Sequence, residues 1–216
     1  MNPFPLILSA PSGGGKTTIA RMLLESRPDI GYSVSCTTRP PRDGEVDGRD
    51  YHFLSQNDFE VRRTRGEFAE SAVVHGNMYG TLRSEVERVL AAGRHVVMDI
   101  DVQGARQFAG VYPESVLVFL LPPSVETLLQ RLRDRRTEED HEFIRRIRSA
   151  REELRAAVSY QYIVVNDNVR QACAQVSAIV DAEGVRHARL TDLSRRVAAL
   201  VEELDSRILS SSLSHL

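Results

Sequence analysis

The run Pro11-Ser12-Gly13-Gly14-Gly15-Lys16-Thr17-Thr18 follows directly on the apolar segment Phe4 to Leu8. A strand, a glycine-rich turn and a helix in that order let successive backbone N–H groups and a helix N-terminus surround a polyphosphate. Lys16 is the charge that would reach the β- and γ-phosphates, and the Thr17 hydroxyl is a candidate ligand for the Mg²⁺ that bridges them. The phosphate-loop pattern G-x-x-x-x-G-K-[ST] is missed once, because Ala10 stands where its first glycine falls. A plain turn does not account for Lys16, since a cation at a helix start opposes the dipole unless an anion sits there.

A second centre lies between Ser33 and Tyr51. Arg39 and Arg42 flank Pro40-Pro41, which stiffens the segment and presents two guanidinium forks. Paired forks suit a phosphate monoester, each making charge-assisted hydrogen bonds, and Tyr51 and Tyr79 could add hydroxyl donors. A third centre is Asp99 and Asp101, on either side of Ile100 at the end of an apolar run. Strand alternation points both to one face, and at the carboxyl end of a parallel strand that face opens on the ligand crevice.

The elements that must carry these groups alternate between strand and helix, as in a parallel sheet covered by helices. Apolar runs at Val96 to Ile100 and Val116 to Leu121 read as central strands, and Tyr162 to Val165 as another buried strand. Helices are predicted over Thr18 to Glu25, Leu82 to Ala91, and Ser124, as N-cap, to about Arg135. Phe143, Ile144, Ile147, Leu154 and Val158 mark the next helix, and Val169, Cys173, Val176 and Val180 one that stops at Gly184. Between Tyr32 and Gly80 the apolar runs are short and turns dense, with β segments at Tyr51 to Leu54 and Phe68 to Val74: a small mixed-sheet insertion. Leu193, Val197, Leu200, Leu204 and Ile208 form the stripe of a last amphipathic helix. Packing on the domain is the expectation for it, with pairing to a second subunit as the alternative.

With 216 residues and 42% hydrophobic content, the chain can bury one sizeable core. The longest apolar stretch is six residues, far short of the roughly 20 needed to cross a bilayer. A net charge of −2 argues against a nucleic-acid backbone as main partner. Cys36 and Cys173 make no disulfide framework or zinc pattern, so a cytoplasmic location is the default expectation. Arg131, Arg133, Arg135, Arg136, Arg145, Arg146 and Arg148 form a local basic run. A solvated helix face is the usual meaning of such a run, although a phosphate loop elsewhere in the chain weakens that reading.

The sequence resembles the guanylate kinases from about residue 4 to 182. The resemblance rests on Ala10 to Thr17, Ser35-Cys-Thr-Thr-Arg-Pro-Pro-Arg42, Arg49-Asp-Tyr51, Phe68-Ala-Glu70, Gly76-Asn-Met-Tyr-Gly-Thr81, Val97-Met-Asp-Ile-Asp101 and Val164-Val-Asn-Asp167. It implies the α/β fold of phosphate-loop nucleoside monophosphate kinases. That fold has a parallel-sheet core (1–32 and 82–182), a mixed-β GMP-binding insertion (about 33–81), a helical lid (about 127–157) and here a helical extension, 183–216. ATP would bind Ala10, Pro11, Ser12, Gly13, Gly14, Gly15, Lys16 and Thr17, with Asn166 at adenine; a helix N-cap is the other reading of Asn166 and is compatible with that contact. Arg39, Arg42, Tyr51 and Tyr79 would hold the phosphate of GMP, and Ser35, Glu70, Thr81 and Asp101 would read guanine. Asp99, in the same substrate crevice, resembles the acid that orders the waters of Mg²⁺.

The implied reaction moves the γ-phosphoryl of ATP to GMP. It needs no catalytic base, because a phosphate monoester with a second pKa of about 6 is largely deprotonated at neutral pH. Lys16, Arg42 and the lid arginines Arg135 and Arg146 would supply positive charge. Arg136 stands where the family pattern has a small residue, which leaves open whether Arg135 or Arg136 turns inward. The partners implied are GMP and ATP, without nucleic acid or membrane, and the chain would be a monomer or homodimer. dGMP as a further acceptor is left open. The alternative from another class is a catalytically dead guanylate-kinase-like module that binds phosphopeptides, against which stand the intact Lys16 and Thr17.

Overall fold

The computed structural model describes residues 2–74, 76–133 and 140–213, the side chains of 140–142 and 209–213 excepted. Two compact units are present, Pro3–Val180 and a smaller one made of the N-terminal residues with Asp181–Leu216. In the larger unit, strands β1 (Pro5–Ser9), β2 (Ile30–Tyr32), β7 (His95–Asp99), β8 (Val116–Leu121) and β9 (Tyr162–Val165) form a parallel sheet ordered β2-β7-β1-β8-β9. β1, β7 and β8 are buried on both faces, which is why they read as unbroken apolar runs. β9 was expected to be buried too. It is an edge strand, with Ile163 and Val165 half exposed.

A second sheet, ordered β4-β3-β6-β5, carries β3 (Cys36–Thr37), β4 (His52–Phe53), β5 (Phe68–Val74) and β6 (Asn77–Leu82). Its β3–β4 pairing is parallel and its other two are antiparallel, the mixed sheet expected of the insertion. Helix α2 (Gln56–Thr64) within it is not visible as a stripe because only Phe59 is buried. Ser55 caps it, accepting from the Asp58 N–H at 3.0 Å. Phe59 stacks on Phe68 at 4.4 Å and anchors the helix to β5.

Helices α1 (Lys16–Ser26), α3 (Arg83–Ala91), α4 (Val102–Val111), α5 (Val125–Arg133), α6 (Asp140–Ala156) and α7 (Val169–Gly184) complete the set around the sheets. Ser124 accepts from the Thr127 N–H at 3.2 Å, as an N-cap of α5 should. α5 and α6 meet through Leu128, Leu132 and Ala150, backed by Phe143, Ile147 and Leu154. Ile144 and Val158, expected on that face, are exposed, Val158 in a turn beyond the helix end. Arg135 and Arg136 lie outside the described residues.

In the smaller unit, the Glu183 carboxylate is buried and accepts from Arg186 and Arg189, and the Asn2 N–H donates to the Arg189 carbonyl at 3.1 Å. Helix α8 (Leu193–Leu213) has its stripe as predicted, with Val197, Leu200, Leu204 and Ile208 exposed. Among the described residues no helix is long and apolar enough to cross a membrane.

The core beneath the cleft is Ile7, Val96, Met98, Ile100, Ala105 and Phe108. It holds the ends of β7 and the start of α4 in place. Phe108 is fully buried and stacked on Tyr112 at 4.7 Å. Phe108→Ala is expected to cost about 3 to 5 kcal/mol of stability by urea unfolding; a loss under about 1 kcal/mol would contradict this packing.

Candidate active site

The phosphate loop joins β1 to α1, and its shape has local causes. Gly13 and Gly15 hold φ of 79° and 89°, which L side chains rarely adopt. A Cβ on Gly14 would lie 2.5 Å from the Cβ of Ala10 and 2.8 Å from the Pro11 carbonyl oxygen, so only glycine fits there. Lys16 folds back to donate to the Ala10 carbonyl at 2.7 Å. α1 starts with no side-chain cap and no acid in its first turn, leaving the helix end electropositive for an anion.

Asn166 does not cap α7. Asn168 does, accepting from the N–H groups of Arg170 and Gln171. The Asn166 amide, 3% exposed, instead donates to the Gly14 carbonyl at 2.8 Å, and Arg131 donates to the Asn166 carbonyl at 2.9 Å. Both residues brace the loop from behind. The basic run is therefore only partly a solvated face: Arg133, Arg145 and Arg148 are exposed, while Arg131 and Arg146 turn inward. Arg146, 7% exposed, donates to the Leu132 carbonyl at 3.1 Å and to Ser12 Oγ at 3.3 Å. Glu153, one further residue that the motifs do not reveal, accepts from the Ser12 N–H at 3.2 Å.

Register brings the acids to the loop. β1 pairs with β7 so that Leu8 faces Asp99, one step before the loop begins, and Ser9 Oγ donates to the Ile100 carbonyl at 2.9 Å. Thr17 Oγ1 then donates to Asp99 Oδ2 at 2.6 Å. Asp101 is not on the strand as alternation implied. The strand ends at Asp99, and Asp101 is the N-cap of α4, accepting from the Gly104 N–H at 2.7 Å. Both acids still line one cleft of about 280 Å³ with Lys16, Ser35, Tyr51, Glu70, Tyr79 and Arg146.

On the insertion side, Thr81 and Glu70 are opposed on β6 and β5. Thr81 Oγ1 donates to Glu70 Oε1 at 2.7 Å, and Ser35 Oγ lies 3.4 Å from Thr81 Oγ1. A Cβ on Gly104 would fall 2.6 Å from Glu70 Oε2, so glycine there makes room for the carboxylate. Glu70 is 5% exposed. Burial pushes its carboxyl up to about 7, the Thr81 hydrogen bond opposes that, and the charge of Asp101 adds to it.

Of the two arginines, Arg39 does not present a free fork. Both Glu45 oxygens take its guanidinium at 2.9 Å, and one of them also accepts from the backbone N–H of Arg42 at 2.8 Å. Arg39 also lies over the Tyr51 ring, 5.5 Å from its centroid, and Tyr51 meets Tyr79 edge-on at 6.0 Å. Arg42 is exposed, and neither it, Arg39 nor Thr81 is among the residues that line the cleft. Glu45 was invisible to motif reasoning, since an isolated acid between two turns reads as surface.

A single cleft thus joins a phosphate loop to a hydroxyl–carboxylate chain on a separate small sheet. The guanylate kinase family model matches residues 2–183. This chain belongs to the guanylate kinase family. It is 49% identical to the guanylate kinase of Chelativorans sp. (strain BNC1) over 92% of this chain and 91% of that protein. With the guanylate kinase of Symbiobacterium thermophilum it shares 47% identity over 92% of each chain. The crystal structure of guanylate kinase from Anaplasma phagocytophilum is 33% identical and superposes with a TM-score of 0.74, covering 89% of this chain and 92% of that one.

If Glu70 is the residue that meets the guanine of GMP, its raised carboxyl has a consequence for acceptor binding. A guanine offers N–H donors, which only the ionised carboxylate can accept at both oxygens. A proton must then leave Glu70 before binding, so acceptor affinity falls as pH drops through about 7 and is full only a unit or more above it. Acceptor kcat/KM is expected to decline about tenfold per pH unit below that point. Glu70→Gln should flatten this step and lower the plateau; a wild-type profile flat from pH 5.5 to 8 would refute it.

Proposed function

We propose that this chain transfers the γ-phosphoryl of ATP to a phosphate oxygen of GMP, giving ADP and GDP. The observation that carries the acceptor assignment is the Ser35–Thr81–Glu70 chain, of which Ser35 and Glu70 line the same cleft as Lys16. Ionised Glu70 accepts from guanine N1–H and N2–H₂, and the Ser35 and Thr81 hydroxyls serve O6. Adenine offers a lone pair at N1 where guanine offers a proton. It would face the carboxylate's own lone pairs, the kind of mismatch that polar sites reject most strongly.

Tyr51 and Tyr79, which line the cleft, hold the acceptor phosphate together with Arg39 and Arg42, which lie outside its lining and would turn in toward the anion. The Arg39 fork is kept aligned by Glu45 and the Tyr51 ring, so it meets the anion with little ordering left to do. The loop from Ala10 to Thr17 cradles the donor phosphates, braced by Asn166, and Lys16 leaves the Ala10 carbonyl for them. Arg146, already at Ser12, approaches from α6 to neutralise the charge that spreads over the transferring group. Catalysis consists of alignment and charge neutralisation, with no base on the protein.

The donor set also fits Mg²⁺. One hydroxyl and one carboxylate lie side by side at Thr17 and Asp99, and among the described residues no cluster of three acid, histidine or cysteine ligands exists. A cation that keeps its waters and takes phosphate oxygens needs no more. When bound, it would screen the negative charge between the donor phosphates.

ADP formation measured with GMP, AMP, CMP and UMP in turn is expected to favour GMP by at least about 10³-fold in kcat/KM; comparable turnover of AMP would overturn the acceptor assignment. Lys16→Ala and Arg42→Ala are each expected to abolish turnover while the thermal unfolding curve stays cooperative. Near-normal GDP production by either variant would sink the roles given to these side chains.

A further inference from the structure

We infer that Tyr32 is a positioning residue for the cation: its hydroxyl anchors Asp99 so that the carboxylate meets the hydration shell of Mg²⁺ in one orientation. The inference rests on the reading of Thr17 and Asp99 as the Mg²⁺ centre.

Tyr32 is the last residue of β2 and pairs in register with Val97 of β7. Asp99 lies two residues beyond Val97, so its side chain leaves the sheet on the same face. The Tyr32 hydroxyl donates to Asp99 Oδ1 at 2.8 Å, while the Thr17 hydroxyl donates to Oδ2 at 2.6 Å. Each oxygen of Asp99 therefore has one fixed donor, and the two donors come from different elements.

The division of labour matters for a cation. By giving its proton to Oδ2, Thr17 keeps its own lone pairs available to the metal. A carboxylate held at one oxygen still pivots about its Cβ–Cγ bond; an anchor at the second oxygen removes that freedom. Oδ1 keeps a lone pair for a metal-bound water, aimed by the Tyr32 bond. Outer-shell donors of this kind orient metal-site ligands elsewhere.

The ring alone does not explain a tyrosine here. It packs against the cluster of Leu6, Leu8 and Val97, which phenylalanine would do as well.

The test is Tyr32→Phe, which keeps the ring and removes the hydroxyl. Calorimetry would give the affinity for an imido-bridged, non-hydrolysable ATP analogue, once with Mg²⁺ and once with EDTA. Wild type is expected to bind more tightly with Mg²⁺. In Tyr32→Phe that enhancement should shrink about tenfold, the lower end of what losing an outer-shell partner costs a metal site, with affinity in EDTA unchanged. In an Asp99→Ala background the same substitution should leave the ratio unaltered. An unchanged ratio in Tyr32→Phe, or equal weakening with and without Mg²⁺, would make Tyr32 a packing residue and overturn the inference. No enhancement in wild type would overturn the Mg²⁺ reading of Thr17 and Asp99 as well.

Discussion

The parallel pairing of β1 with β7 is the constraint on which the cleft depends. Leu8 opposite Asp99 sets the phosphate loop and the acid beside each other, and Ser9 ties the two strand ends through the Ile100 carbonyl. A slip of one residue would turn the Asp99 side chain to the other face of the sheet. Thr17 and Tyr32 would then lose their partner. The apolar residues packed under this register, Ile7, Met98, Ile100 and Phe108 among them, make such a slip costly.

A second regularity is that the polar groups assigned to substrates already have internal partners. Lys16 is on the Ala10 carbonyl, Thr17 on Asp99, Thr81 on Glu70, Arg39 on Glu45, and Arg146 on Leu132 and Ser12. Unpaired buried polar groups are expensive, and a lone buried charge more so. Each such contact fixes a side chain near the place where it is needed, and substrate oxygens or N–H groups then exchange for the internal partner. In the proposed reading, specificity follows from the same cost, since a ligand without the N–H donors of guanine leaves Glu70 without a match.

Much of this was legible in the chain before any coordinates. The loop, the central strands and the mixed sheet are local or periodic signals, and the structure carries them with shifts of a residue or two at their ends. Helix α2 was missed because one buried phenylalanine makes no stripe. β9 was misjudged because an apolar run does not say whether a strand is central or at an edge. The α8 stripe was visible, but periodicity alone could not say whether anything covers it.

The sequence by itself determined the chemistry on offer: a lysine and a threonine after glycines, paired arginines, and an acid set among hydroxyls. Side-chain type and short spacing encode such groups locally. Tertiary structure alone decided which of them meet. Asn166 braces the loop instead of capping α7, Asp101 caps α4 instead of ending a strand, Glu45 holds Arg39, and Tyr32 reaches Asp99 from 67 residues away. These contacts depend on strand order and register, which arise from packing across the whole core and leave no mark on the few residues that make the contact.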